Sequence, residues 1–410
     1  MLLLAVPLAL AACSAPPDRA ITPATPAAPV VPEGGIDPAT TFTPVSVTTM
    51  TTPSPVTASD GRTHLAYELL VTNATGAPYR LDKVEVLDAT DRKPITTLDG
   101  AALAADANLI GGPVGDEGTE DPQQKAQSIP NSATAVVWLD VVPQGPTPTA
   151  LVHRITGSIG GSPAITSTVG RVDVSTQTAP VLGPPVAGGG QWYASDGCCA
   201  DDSHHRRGLA PINGTLLVPQ RFAIDWYLLD DQHRAWVDDP SKITNFLAYD
   251  QAAIASADGV VVDAVDGLPD TTSLPKPPPL PPIKDTVGNH VTLMIAPGVY
   301  LLYAHFKPGT VAVERGQKVK KGDVLGHIGS SGNSTAPHLH FQVMTEPTFF
   351  PTDSTPFAFD CFRLDGRVTE RIWDDVLPEQ PTPVLPFAAS NDTAQHKAQM
   401  PLDRSVLTFC

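Results

Sequence analysis

Positive charge is scarce in this chain: 26 Lys and Arg stand against 43 Asp and Glu, a formal net charge of −17 at pH 7. With no basic patch to neutralise phosphates, a nucleic-acid partner is excluded. Charge of either sign is low, at 17% of residues, while Pro (44) and Gly (32) are abundant. That balance suits short strands joined by turns better than long helices, and the expected class is mainly β. The N-terminal apolar run, Met1 to Ala12, falls short of the ~20 residues a membrane-spanning helix needs. No Gly-Xaa-Ser-Xaa-Gly elbow surrounds Ser330, Ser331 or Ser334, which argues against a nucleophilic serine. No Cys-Xaa-Xaa-Cys spacing supports a cysteine-rich zinc site. Val319-Lys-Lys-Gly-Asp-Val-Leu-Gly326 has the look of a carrier-domain hairpin, but the Met-Lys-Met or Asp-Lys-Ala attachment sequence is missing.

A chain of 410 residues holds about two to three domains. Leu10-Ala11-Ala12-Cys13 is similar to a bacterial lipoprotein signal, although no Lys or Arg precedes the run. Residues 1–13 are therefore expected to be a leader ending at a lipidated Cys13 that anchors the protein to a membrane. Residues 14–40, rich in Pro, Ala and Thr, read as a flexible tether. From 41 to 178, alternating segments such as Val45 to Met50, His64 to Thr72 and Ala135 to Val142 predict a β-sandwich-like domain with a structural or positioning role. A Pro/Gly linker (179–190) leads to a second β domain (191–375) and a largely polar C-terminal extension (376–410). With Cys13 taken by lipid, Cys198, Cys199, Cys361 and Cys410 allow two disulfides. A bond between neighbours is strained, so Cys198 and Cys199 are each expected to pair with one of the distant two.

Chemistry concentrates between Val299 and Met344. Val299 to Leu302, Val324 to Ile328 and Leu339 to Met344 read as strands punctuated by Gly, Pro, Asn and Ser. His338 and His340 are two apart and share one strand face. Imidazole is both a common metal ligand and a proton shuttle near neutral pH. Tyr303-Ala-His305, the Gly316 to Gly326 run, the Gly329 to Asn333 turn and Pro337-His-Leu-His-Phe341 occur in fixed order.

Together these motifs resemble the lysostaphin-type zinc endopeptidases of peptidoglycan, over roughly Gln191 to Thr345. The resemblance implies an antiparallel, barrel-like metallopeptidase domain at 191–375, zinc as cofactor, and peptidoglycan peptides as substrate in the bacterial cell envelope, whether lipid-anchored or secreted. It makes Asp225 and His340 metal ligands, His338 the general base and His305 the group that stabilises or protonates the tetrahedral intermediate. The family has His-Xaa-Xaa-Xaa-Asp on one strand face where this chain has Arg221 and Asp225. A guanidinium offers no lone pair, so the third ligand is expected from upstream, at His205, with the adjacent His204 as the alternative. A degenerate member of the fold, which binds peptidoglycan or activates another hydrolase, is the competing expectation. His233, His290 and His327 read as structural.

Overall fold

The computed structural model describes residues 40–111, 128–199, 202–271, 280–370 and 383–410. The Cys13 motif and most of the Leu274 to Pro282 insertion lie outside them. Of Met1–Phe42 only the last three residues are described, and they carry no strand.

Period-two patterning builds the first layers. In Thr63–Asn73, Leu65, Tyr67, Leu69 and Val71 face one way and join a common core, while Ala66, Glu68 and Leu70 face the other. This strand lies between Val45–Thr49 and Thr134–Val141, in a sheet extended by Ala107–Leu109. A second sheet runs in the order Ile165–Asp173, Ala150–Ile159, Tyr79–Asp88, Pro94–Asp99. Leu81, Val84, Val86, Leu151 and Ile155 from it meet the Leu65 row, giving a sandwich core in which each large side chain contributes about 1.5–3 kcal/mol by burial.

The second half is dominated by a 12-stranded antiparallel sheet. Its central order is Gly259–Val265, Asn289–Ala296, Val299–Phe306, Leu339–Met344, Ile224–Leu229, Gln191–Ser195, Ser405–Phe409, Phe362–Val368. Asn289–Ala296 and Val299–Phe306 form a hairpin that turns at Pro297-Gly298. One face packs Trp192, Trp226, Leu301, Tyr303, Phe341, Phe357 and Phe359 together, and Val56 and Ala66 of the sandwich join that cluster. Thr43–Cys410 is accordingly one compact unit.

Two expectations need correction. Far from being only a polar extension, the C-terminal residues supply Ser405–Phe409, whose Leu407 and Val406 are fully buried between neighbouring strands. The cysteines pair differently as well. Cys361 and Cys410 stand at disulfide distance with Cα atoms 5.5 Å apart, and Cys198 is matched with Cys199, not with a distant partner. Antiparallel pairing of Phe362 with Phe409 brings the ends of their strands together, which leaves Cys361 beside Cys410 and neither available to the Cys198 loop.

Candidate metal centre

Register assembles the site. Asp225 lies opposite His340 on one side and Ser195 on the other. Residues opposed in an antiparallel pair carry their side chains to the same face, which brings an Asp225 carboxylate oxygen to 2.8 Å from His340 Nδ1. His340 also pairs with Ala304, so simple alternation would send His305 to the opposite face. Instead His305 has φ +66°, and the ladder to Asn289–Ala296 shifts register here. A left-handed residue at a bulge re-aims its side chain, and the His305 ring lies 4.8 Å from that of His338 and 5.8 Å from that of His340. His338, just ahead of Leu339–Met344, places Nε2 3.3 Å from Asp225 and stacks on Tyr227.

His205 joins them from a short helix, His204–Arg207, capped by the Ser203 side chain, which accepts from the Arg206 N–H. Its Nε2 is 3.5 Å from Asp225 and its ring 5.1 Å from that of His340. The neighbouring His204 turns its Nδ1 to Asp196 at 2.9 Å, and its side chain is 42% exposed. His205, by contrast, is fully buried. Asp225, His305, His338 and His340 are buried too, so their mutual interactions act with little screening by water.

Hydrogen-bond partners set the proton positions. A carbonyl oxygen only accepts, so a ring nitrogen facing one must carry the proton. By that rule Nδ1 is protonated in His205 (Asp196 and Ala223 carbonyls, both 3.2 Å), in His305 (Ser331 carbonyl, 2.8 Å) and in His338 (Ala336 carbonyl, 2.7 Å). His340 is oriented the other way. Gln342 gives its amide N–H to the Pro219 carbonyl, which leaves its Oε1 to accept from His340 Nε2 at 2.9 Å. In the neutral ring, His340 Nδ1 then presents its lone pair to the Asp225 carboxylate.

Ionisation follows from this crowding. Burial opposes the charge on Asp225, but the imidazoles of His338, His205 and His340 outweigh it and hold the carboxyl well below its usual range. Burial pushes His205 down to about 4 despite Asp225. His305 is also depressed by burial, with His338 and His340 adding to it. His338 is raised, because Asp225 outweighs its burial.

Residues 243–350 match the family model described as peptidase family M23. This part of the chain is a lysostaphin-type M23 peptidase domain. Glycyl-glycine endopeptidase ALE-1 of Staphylococcus capitis is 42% identical over 73 residues, 18% of this chain and 20% of that protein. DD-carboxypeptidase/endopeptidase Mpg of Neisseria meningitidis serogroup B is 42% identical over 59 residues, 14% of this chain and 13% of that one. The chain thus spans a fifth or less of the length of these curated relatives. Among solved structures, the catalytic domain of lysostaphin from Staphylococcus simulans is 22% identical, covers 35% of this chain and 80% of its own, with a TM-score of 0.22. The M23 match contains His305, His338 and His340, and Asp225 and His205 precede it.

The strand that carries Asp225 starts only at Ile224, so Arg221 lies in the preceding turn and not on the strand face with Asp225. Its guanidinium points to Glu68 and Asp353. His233, His290 and His327 stay outside the site, against Phe387, Asp263 and Asp250 respectively. Sequence reasoning missed Gln342, Ser331 and Glu68. Gln342 was legible, being two residues past His340 on the same face. Glu68 carried a fainter signal as the one charge inside the apolar run Leu65–Val71.

Proposed function

We propose that the protein is a zinc-dependent endopeptidase that hydrolyses amide bonds in peptidoglycan peptides. The observation that carries this is the unmet demand at Asp225. One carboxylate receives nitrogens from His205, His338 and His340 at 3.5, 3.3 and 2.8 Å. Two of them, His205 Nε2 and His340 Nδ1, carry lone pairs by the hydrogen-bond argument, and His205 Nε2 is buried with no hydrogen-bond partner among the described residues. Lone pairs converging on a carboxylate call for a cation among them. Two neutral imidazoles and one carboxylate fit zinc, whose catalytic sites take three protein ligands and keep one position open. His205, Asp225 and His340 would hold it, and zinc there supplies a Lewis acid that also acidifies water near neutral pH.

The remaining residues handle protons. His338 is the base, since Nδ1 is committed to the Ala336 carbonyl and Nε2 is turned inward to take a proton. His305, fixed by Ser331, directs Nε2 at the same space, where it stabilises an oxyanion or returns the proton to the leaving amine. Arg221 was the main reason to consider a degenerate scaffold, and its withdrawal to Glu68 and Asp353 leaves the ligand position to His205. Action in the bacterial envelope, with anchorage through Cys13, belongs to the same proposal; unchanged detergent partitioning of Cys13→Ser would remove the anchor from it.

The test is zinc content together with hydrolysis of purified peptidoglycan. His205→Ala should lose both, and His338→Ala should lose hydrolysis while keeping most of the zinc. Loss of zinc in His204→Ala but not in His205→Ala would assign the ligand to the neighbour, and a wild type free of zinc after supplementation would sink the enzyme reading.

A further inference from the structure

Glu68 belongs to the sandwich, far in sequence from every residue of the site, yet it is fully buried and bound to both arginines that border the metal centre. Arg221 Nε donates to the two Glu68 oxygens at 3.0 and 3.0 Å, and its Nη2 donates at 2.7 Å. Arg206 donates to Glu68 Oε1 from Nη1 and to the Leu139 carbonyl from Nη2 at 3.1 Å, with its guanidinium over the Trp138 ring. Asp353 accepts from Arg221 at 3.1 Å. Two guanidiniums and two carboxylates leave this cluster balanced in charge, the condition under which buried ions are tolerated.

Arg206 directly follows His205 in the same single turn of helix. The next residue, Arg207, donates to the Ala105 carbonyl at 2.7 Å and to Asn108 at 3.1 Å, again on the sandwich. The helix that offers His205 to Asp225 is thus fastened by its other side chains to the first domain. Arg221, four residues before Asp225, is drawn off by the same carboxylate.

We infer that Glu68 is a positioning residue of the metal centre: through Arg206 it seats His205, and through Arg221 it keeps a guanidinium away from Asp225, so the sandwich completes the site of the peptidase domain. This rests on the zinc reading above. Charge removal at Glu68 leaves Arg221 with Asp353 alone and Arg206 with no carboxylate partner among the described residues, so the Arg206 guanidinium turns toward water and carries the short helix with it.

Full-length wild type, Arg206→Met, Arg206→Lys and Glu68→Gln are compared in two assays, with circular dichroism to establish folding. Zinc affinity is read by competition with a chromophoric chelator. The reactivity of His205 toward diethyl pyrocarbonate is read on metal-free protein by peptide mass. Arg206→Met keeps most of the apolar stem, though not the guanidinium over Trp138, and leaves Glu68 paired with Arg221, so it is expected to fold. It should bind zinc about tenfold more weakly or worse, the scale of lost ligand support, and expose His205 to acylation. Arg206→Lys should recover part of both effects. A folded Arg206→Met with zinc affinity within about threefold of wild type and His205 still protected overturns the inference, whether or not Glu68→Gln folds. If the wild type takes up no zinc, the proposed function fails, and the acylation pattern still decides the role of Glu68.

Discussion

Replacing Gln342 with Leu tests how the site sets its own protonation. Two hydrogen bonds disappear, His340 Nε2–H to Oε1 at 2.9 Å and the Gln342 amide to the Pro219 carbonyl at 3.2 Å. A buried N–H left without an acceptor costs about 1–3 kcal/mol. His340 can avoid that by moving its proton to Nδ1, where Asp225 accepts it at 2.8 Å. Stability should therefore fall by only about 1 kcal/mol. The escape removes the lone pair that faces Asp225, so a metal must displace a proton to bind. Loss of such a partner typically weakens metal affinity by about 10–100-fold, or about 1.4–2.7 kcal/mol. Competition with a chromophoric chelator measures the affinity, a thermal melt the stability, and nitrogen shifts of His340 the tautomer. Gln342→Glu keeps the acceptor and should hold zinc as well as the wild type does. A folded Gln342→Leu with zinc affinity within about threefold of wild type would refute the tautomer argument.

Gly288 has φ +61°, and an added Cβ would lie 2.4 Å from the Ser331 carbonyl oxygen that holds His305. Gly288→Ala should cost about 1–3 kcal/mol in a thermal melt and lower kcat while zinc content stays unchanged; normal kcat would show that the Ser331 contact is dispensable. His64 is flanked by Asp140 at 2.8 Å and Asp60 at 3.2 Å, and although burial works against its charge, the carboxylates raise its pKa. The folded value thus lies above the unfolded one, so this contribution is complete below pH ~6.5 and is lost as pH rises through the raised value. Wild-type stability should therefore decline as pH rises above about 6.5 more steeply than that of His64→Gln, and parallel curves would contradict the assignment.

Much of this arrangement was legible because local rules carry it. Val45–Thr49, Thr63–Asn73, Leu339–Met344 and the Asn289–Phe306 hairpin follow from alternation and turn residues, and the structure places them within a residue or two of expectation. The histidines were findable because Asp225, His338 and His340 are set by strand register. Ile165–Asp173 was missed, since it is mostly exposed and lacks an apolar face. Ser405–Phe409 was missed for another reason: what makes it a strand is its pairing with Phe362–Val368 and Gln191–Ser195, neither of them its neighbour in the chain. The turn at Arg221 and the inward swing of His305 arise from contacts with Glu68 and from a backbone bulge, neither of which leaves a periodic trace. Likewise, the pairing of Cys361 with Cys410 depends on tertiary register that cysteine spacing alone does not encode.

Gln191–Ser195 comes shortly before His205 in the chain, and its hydrogen-bonded neighbours are Ile224–Leu229 on one side and Ser405–Phe409 on the other. Pairings this distant form slowly, because a long loop must be closed before any contact rewards it. The strand leading to His205 is thus braced by a partner from far downstream in the chain. A chain in which Ser405–Phe409 has not yet paired can already align His340 with Asp225, yet lacks the brace ahead of His205. The order of strands in the sheet thus makes the seating of His205 a late event in folding, one that waits on a distant pairing.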